Sequence, residues 1–260
     1  MTALVRLGIR VRADRAEPAL ADLLPILRGG AEQREVEGAV EYALYAPEGE
    51  LPRAEEIRAL AGDALVDVRA EPVPDGWQVR WHEFLRPVRV GELVVRPPWI
   101  EGEPDDLVID PGTFFGAGTH PTTRLCLELL LDEPPAGALC DWGAGTGVLA
   151  IAAARLGWGP VTAVELEPAA LDVIRANAAR NGVAVEARAQ DVRFGAPWAP
   201  TVVANLPRPV LLDAARTVAR PERVIAAGML APETDEVVAA FGLSERRRIE
   251  KDGWAAVVLA

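Results

Sequence analysis

The stretch Leu139-Cys140-Asp141-Trp142-Gly143-Ala144-Gly145-Thr146-Gly147 decides the fold. The apolar residues Ala138 to Cys140 read as the end of a strand, an acidic residue and three alternating glycines follow, and Val148 to Ala154 opens an apolar helix. Glycines at alternate positions let the backbone turn sharply and leave room for a ligand against the helix N-terminus. This is the construction of a nucleotide-cofactor loop, and Asp141, Gly143, Gly145 and Gly147 are its candidate binding residues. The dinucleotide fingerprint places its third glycine three residues after its second. Here that position is Val148 and the third glycine is Gly147, which counts against a nicotinamide site.

Downstream, Val161 to Val164 reads as the second strand of a parallel sheet and ends at Glu165. Glu165 lies 22 positions past Gly143, where a dinucleotide or adenosine site places the acid that accepts the ribose hydroxyls. Pro168 to Arg180 is predicted as a helix closed by Asn181-Gly182. A third strand, Val183 to Ala189, brings Gln190 and Asp191 to its end, with Asp191 a candidate for the adenine edge. Thr201 to Asn205 is a fourth strand, and ligands in open α/β sheets bind at such carboxyl ends. An Asn there offers a carbonyl to an amine N–H, while Pro207 and Pro209 remove competing backbone donors. Arg208 is either substrate-facing or solvated. Val224 to Ala227 gives a fifth strand and Thr234 to Phe241 a helix. Glu245 to Ile249 and Trp254 to Leu259 form a closing hairpin around Asp252-Gly253. The alternation predicts an α/β doubly wound sheet with an antiparallel edge.

Upstream, residues 110–123 place three glycines and four threonines in one short loop, more than simple connection requires. Thr122 or Thr123 is expected to cap the helix Leu125 to Leu131, and the loop to close over a ligand held by the glycine loop. His120 has two readings there, a base or a turn-stabilising residue. Trp77, Trp81, Phe84 and Leu85 fall on one helical face, a stripe best read as packing between domains, and His82 lies off it as a structural residue. Before that come a strand (Thr2 to Val11), a helix (Glu17 to Leu27, interrupted at Pro25) and strand material from Glu35 to Ala46, read either as one strand or as two turning at Glu37-Gly38. A second helix (Pro52 to Leu60) and a strand (Ala64 to Val73) complete this region. That order predicts a small α+β domain with a ferredoxin-like sheet, and with no histidine or nucleophile cluster its expected role is recognition. The expected divisions are 1–74 for this domain, 75–100 for a linker and 101–260 for the doubly wound domain.

Composition narrows the classes. Half of the 260 residues are hydrophobic and a quarter charged, as in a globular protein with a sizeable core. No apolar run approaches the roughly 18 residues of a membrane span, and the first residues lack a signal-peptide pattern, so a cytoplasmic location is expected with no membrane partner. Cys126 and Cys140 are the only cysteines, so neither a disulfide framework nor a metal site is expected. Lys251 is the only lysine, which argues against Schiff-base chemistry in the core. A formal net charge of -12 argues against a stable nucleic-acid partner and suits a basic protein. A monomer is expected.

With these residues in hand, the chain resembles the bacterial methyltransferases that modify ribosomal protein L11 of the large subunit, the PrmA family. The likeness lies in the aromatic segment from Trp77 to Val90, the Phe115 to Thr123 loop, the Asp141 to Gly147 loop, Glu165 and Asn205. The glycine loop alone is shared by class I methyltransferases generally; the Phe115 to Thr123 loop is the family-specific feature. The resemblance implies a Rossmann-like class I methyltransferase domain, S-adenosylmethionine as cofactor and an N-terminal domain that recognises the ribosomal protein. It also implies that Thr123, Gly143, Glu165 and Asn205 match cofactor-binding positions, and that lysine side chains and an N-terminal amine are methylated. Asn205 is the expected catalytic residue, with His120 a second candidate. Ala117 stands where the family has Thr, and Trp142 is bulky beside the first glycine. Asn205-Leu206-Pro207-Arg208 replaces the family's Asn-Ile-Leu-Ala and is similar to the Asn-Leu-Pro-aromatic loop of ribosomal RNA adenine dimethyltransferases. Two alternatives therefore stay open: an enzyme acting on another protein or on a ribosomal RNA amine, and a non-catalytic cofactor-binding assembly factor.

Overall fold

A computed structural model describes residues 4–23, 26–27, 32–36, 38–47, 49, 51–73, 85–112 and 114–260. The chain divides into two units, residues 1–84 and 85–260. The expected aromatic positions Trp77, Trp81 and Phe84, with His82, lie outside the described residues.

The first unit runs β1 (Leu4–Arg12), α1 (Ala16–Leu23), β2 (Glu32–Val36), β3 (Ala39–Pro47), α2 (Ala54–Ala61) and β4 (Leu65–Pro72). Its antiparallel sheet has the order β2-β3-β1-β4, the connectivity of a split βαβ unit. Strand alternation explains the two layers. Leu7, Ile9 and Val11 of β1 and Val40, Tyr42 and Leu44 of β3 point to one face and pack on Ala19, Leu23, Ile57 and Ala61 of the helices.

The second unit is built on a seven-stranded sheet of β8 (Leu139–Trp142), β9 (Val161–Glu165), β10 (Glu186–Ala189), β11 (Thr201–Asn205), β12 (Arg223–Leu230), β13 (Glu245–Lys251) and β14 (Trp254–Leu259). Its order is β10-β9-β8-β11-β12-β14-β13. The first five strands are mutually parallel, and β14 is antiparallel to both β12 and β13. The predicted doubly wound sheet with its antiparallel edge is thus present. Helices cover both faces, which is why β11, β12 and β14 are almost continuously apolar. On one face lie α3 (Pro121–Asp132), α4 (Val148–Arg155) and α5 (Pro168–Arg180); on the other lie α6 (Arg208–Thr217) and α7 (Thr234–Phe241).

A three-stranded sheet of β5 (Val88–Val90), β6 (Leu93–Arg96) and β7 (Leu107–Val108) adds Val88, Val90, Val95 and Leu107 to the first of these cores. Residues 88–96 of the expected 75–100 linker are therefore built into the second unit. Among the described residues, no helix is long and apolar enough to cross a membrane.

Candidate active site

Strand β8 pairs with β9 on one side and β11 on the other, so the chain reverses its winding direction there. Open α/β sheets bind ligands outside the carboxyl ends of the strands at such a switch point. The 143–147 loop, Glu165 and Asn205 are the continuations of these three strands, and the fold brings them together as the spacing predicts.

Alternation along β8 assigns its two unusual residues. Leu139 and Asp141 face α4, whereas Cys140 and Trp142 face the opposite core. Trp142 is buried and stacks on Phe241 of α7 with centroids 6.4 Å apart. It is a core residue and no part of the ligand loop. Asp141 is fully buried; its Oδ2 accepts from the Ala150 N–H at 3.0 Å, meeting one orphan donor of the first turn of α4. Its Oδ1 has no partner among the described residues. Burial pushes the Asp141 carboxyl up to about 7, the Ala150 bond opposes that shift and the nearby Glu165 charge adds to it. Both cysteines are buried, and burial pushes their thiols upward, that of Cys140 to about 12, so neither offers a thiolate.

Glu165 is held by three backbone donors. Its Oε2 accepts from Gly145 at 2.8 Å, and its Oε1 from Leu166 at 2.8 Å and Glu167 at 3.3 Å. The glycine loop is also clasped from the other side. Thr146 donates its N–H to the Phe115 carbonyl at 3.0 Å and its hydroxyl to the Gly116 carbonyl at 2.9 Å. Gly145 has φ 54°, and a Cβ there would collide with the Phe115 carbonyl oxygen. This glycine thus serves a backbone-to-backbone approach within the chain.

Val108 and Asp110 are fixed from the C-terminal end of α5 by two side-chain amides one turn apart. Asn177 accepts from Asp110 N–H at 2.9 Å and donates to the carbonyls of Asp110 (2.9 Å) and Thr146 (3.0 Å). Asn181 accepts from Val108 N–H at 2.9 Å and donates to its carbonyl at 2.8 Å. Together they extend a strand-like ladder past β7. Sequence reasoning missed both as site residues and read Asn181 only as a helix stop.

Helix α3 starts at Pro121, earlier than the expected Leu125, and its N-cap is His120 in place of Thr122 or Thr123. Proline at the first position presets the helical φ and needs no donor there, so the cap falls on the residue before it, upstream of both threonines. The Thr122 N–H points to His120 Nδ1 at 3.3 Å, and the Thr122 hydroxyl lies 2.7 Å from the same nitrogen. The ring sits edge-on to Phe115 and Trp254, each 5.2 Å away, and burial holds its pKa below the usual histidine value. His120 therefore has the contacts of a neutral, turn-stabilising residue.

Thr123, one position on, meets Asn205: the Asn205 Nδ2 donates to Thr123 Oγ1 at 3.2 Å. The following turn rests on β12, with Leu206 N–H bonded to the Ala227 carbonyl at 3.0 Å. Gly228 makes this seat. It lies at a bulge with φ 96°, and a Cβ there would overlap the backbone of Leu206. A glycine inside an apolar strand was the available signal, and the sequence reading passed it over. Arg208 is not simply solvated: it pairs with Glu233 at 3.3 Å and with Glu236. Asp191 caps a short 3-10 turn, accepts from Arg193 N–H at 2.9 Å and pairs with its guanidinium at 2.7 Å, which keeps the carboxyl below the usual range.

The family model for ribosomal protein L11 methyltransferase (PrmA) matches residues 51–260. The chain is 36% identical over 219 residues to the ribosomal protein L11 methyltransferase of Symbiobacterium thermophilum, covering 78% of this chain and 72% of that one. It is 40% identical over 218 residues to the protein of the same name from Pelotomaculum thermopropionicum, covering 77% and 70%. Among solved structures it is similar in fold to a ribosomal protein L11 methylase from Lactobacillus delbrueckii subsp. bulgaricus, with TM-score 0.59 and 22% identity over 68% of this chain and 98% of that one.

Proposed function

The chain belongs to the ribosomal protein L11 methyltransferase (PrmA) family, and on that footing we propose that it transfers a methyl group from S-adenosylmethionine to amines of ribosomal protein L11. The observation that carries this reading is the meeting of Asn205, Thr123, Glu165 and the 143–147 loop at the switch point of the sheet.

The residues fit the cofactor. Glu165 is oriented by three backbone donors, and its oxygens keep lone pairs for ribose hydroxyls. Asp141 Oδ1 is a buried acceptor unmet among the described residues, beside the loop that would take the amino-acid end. Asp191 stands at the next strand end, after β10, and would be the residue nearest the adenine edge. When bound, the cofactor supplies an electrophilic methyl group on a sulfonium, an activated leaving group.

The chain supplies position and dryness. The Asn205 amide spends a donor on Thr123, which orients its carbonyl end for the incoming amine. A free lysine amine has a pKa of about 10.4 and must be neutral to attack; desolvation at the site favours the neutral form. His120 holds the 110–120 loop through its cap and takes no proton in this reading. The N-terminal domain expected over residues 1–74, within the first unit, recognises the protein substrate, the enzyme acts as a monomer in the cytoplasm, and it holds no stable nucleic acid.

Labelled S-adenosylmethionine incubated with purified L11 and ribosomal RNA tests this. Label in L11 is expected. Label in RNA alone favours the reading drawn from the Asn205-Leu206-Pro207 turn, and no label anywhere favours an assembly factor.

A further inference from the structure

Arg208 stands where local electrostatics disfavour it. It is the first residue of α6, at the positive end of the helix dipole, and no acidic residue lies in that first turn. Helices α6 and α7 follow the carboxyl ends of β11 and β12 and share one core, with Leu211 and Leu212 of the first and Val237 and Phe241 of the second. Both N-termini therefore open at the end of the sheet that holds Asn205. Glu233 and Glu236, at the start of α7, bring two carboxylates there. Glu233 Oε1 lies 3.3 Å from Arg208 Nε, and Glu236 accepts from its Nη1. The other Glu233 oxygen accepts from the Leu230 N–H at 2.8 Å, so one carboxylate joins the last residue of β12 to the first residue of α6. Arg208 Nε is buried, and its contact with Glu233 is ionic without hydrogen-bond alignment.

The turn Asn205-Leu206-Pro207 is thus held at two points along β12. Upstream it is seated through the Leu206 N–H and Gly228; downstream it is tied to Leu230 through Arg208 and Glu233. Pro207, the N-cap of α6, makes no side-chain cap bond of its own. We propose that Arg208, clamped by Glu233 and Glu236, is a positioning residue for methyl transfer: it fixes the 205–207 turn so that the Asn205 amide stays aimed at the acceptor amine. The inference rests on the reading of Asn205 as the residue that orients that amine. An arginine suits the task because its rigid fork of donors meets two carboxylates at once, where a lysine presents a point charge. A displacement of about 1 Å at a reacting centre can cost a hundredfold in rate, whereas partly exposed ion pairs add little to global stability. The clamp is therefore read in turnover before it is read in unfolding.

The test uses the full chain with L11 and S-adenosylmethionine, as wild type, Arg208→Gln, Glu233→Gln and the double variant. Glu233→Gln keeps an acceptor for the Leu230 N–H and removes the charge that faces Arg208. Arg208→Gln is expected to lower kcat roughly five- to tenfold, with the KM for L11 and the cofactor affinity each changed by less than about twofold. Glu233→Gln should show the same pattern with a smaller loss, since Glu236 still holds the guanidinium, and the double variant should be no slower than Arg208→Gln. Arg208→Lys is expected to recover part of the loss. A second measurement needs no methyl acceptor: hydrogen exchange at the Leu206 amide should be faster in Arg208→Gln by a similar factor. Should Arg208→Gln fail to fold, Glu236→Gln on the exposed side of α7 carries the same two readouts. A raised KM at unchanged kcat makes Arg208 a substrate contact and overturns the clamp. Unchanged kcat, losses that simply multiply in the double variant, or unaltered exchange at Leu206 overturn it as well. A wild-type chain that methylates no L11 rejects the methyltransferase reading, and exchange at Leu206 then decides by itself whether the turn is clamped.

Discussion

At the scale of single residues, Asp141 and Glu165 sit at neighbouring strand ends in opposite environments. Glu165 is partly exposed and receives three N–H donors; replacing it with Gln keeps its shape and removes its charge. Hydrogen bonds to charged groups contribute about 1.5–3 kcal/mol, so Glu165→Gln should weaken S-adenosylmethionine binding by about ten- to a hundredfold in calorimetric titration. Equal affinity would remove Glu165 from the ribose site. Asp141 is buried, and burial first, then the Glu165 charge, pushes it up to about 7. Its folded value lies above the unfolded value of about 3.9, so the fold holds the proton more tightly. Its contribution to stability is full below about pH 4 and is lost as pH rises to about 7. Urea unfolding of wild type and Asp141→Asn should therefore show the variant gaining on wild type between about pH 4 and about pH 7; a constant gap there would contradict the buried, protonatable carboxyl. Both residues were legible from loop spacing. Trp142 was not placed, although the period of two along β8, with Asp141 facing α4, was enough to send it to the opposite core.

At the scale of elements, two seats hold the site and both are tertiary. Gly228 lets β12 bulge against the turn after Asn205, and Gly228→Ala should displace that turn. The expected result is a melting temperature lowered by roughly 3–10 °C and a larger loss in kcat than in cofactor affinity. Asn177 satisfies Asp110 and Thr146, which are 67 and 31 positions away. Asn177→Leu should cost about 3 kcal/mol or more and speed hydrogen exchange at the Asp110 amide, because several buried polar groups lose their partner at once. Periodicity and glycine patterns made the strands, helices and the closing hairpin readable. They say little about a side-chain amide that substitutes for a strand, since an asparagine at helical spacing looks like a surface residue until its distant partner is known. The cap of α3 was misplaced for a local reason: Thr122 and Thr123 are good caps, but Pro121 had already started the helix.

At the scale of the molecule, the alternation of strands and helices from Leu139 onward made the doubly wound sheet legible, and the G-x-G-x-G spacing separated it from dinucleotide sheets. What the sequence could not display is the convergence of Arg6, Arg10 and Arg34 on the buried carboxylate of Glu41, because strand register determines which charges meet. The most direct measurement follows the methyl group itself. Tritiated S-adenosylmethionine is incubated with purified L11, ribosomal RNA and either wild type or Asn205→Ala, and cofactor affinity is measured on the same samples. Label should enter L11 with wild type, and transfer should fall at least about a hundredfold in the variant while cofactor affinity changes little. Label in RNA alone, no label in either acceptor, or undiminished transfer by Asn205→Ala would contradict the proposed chemistry.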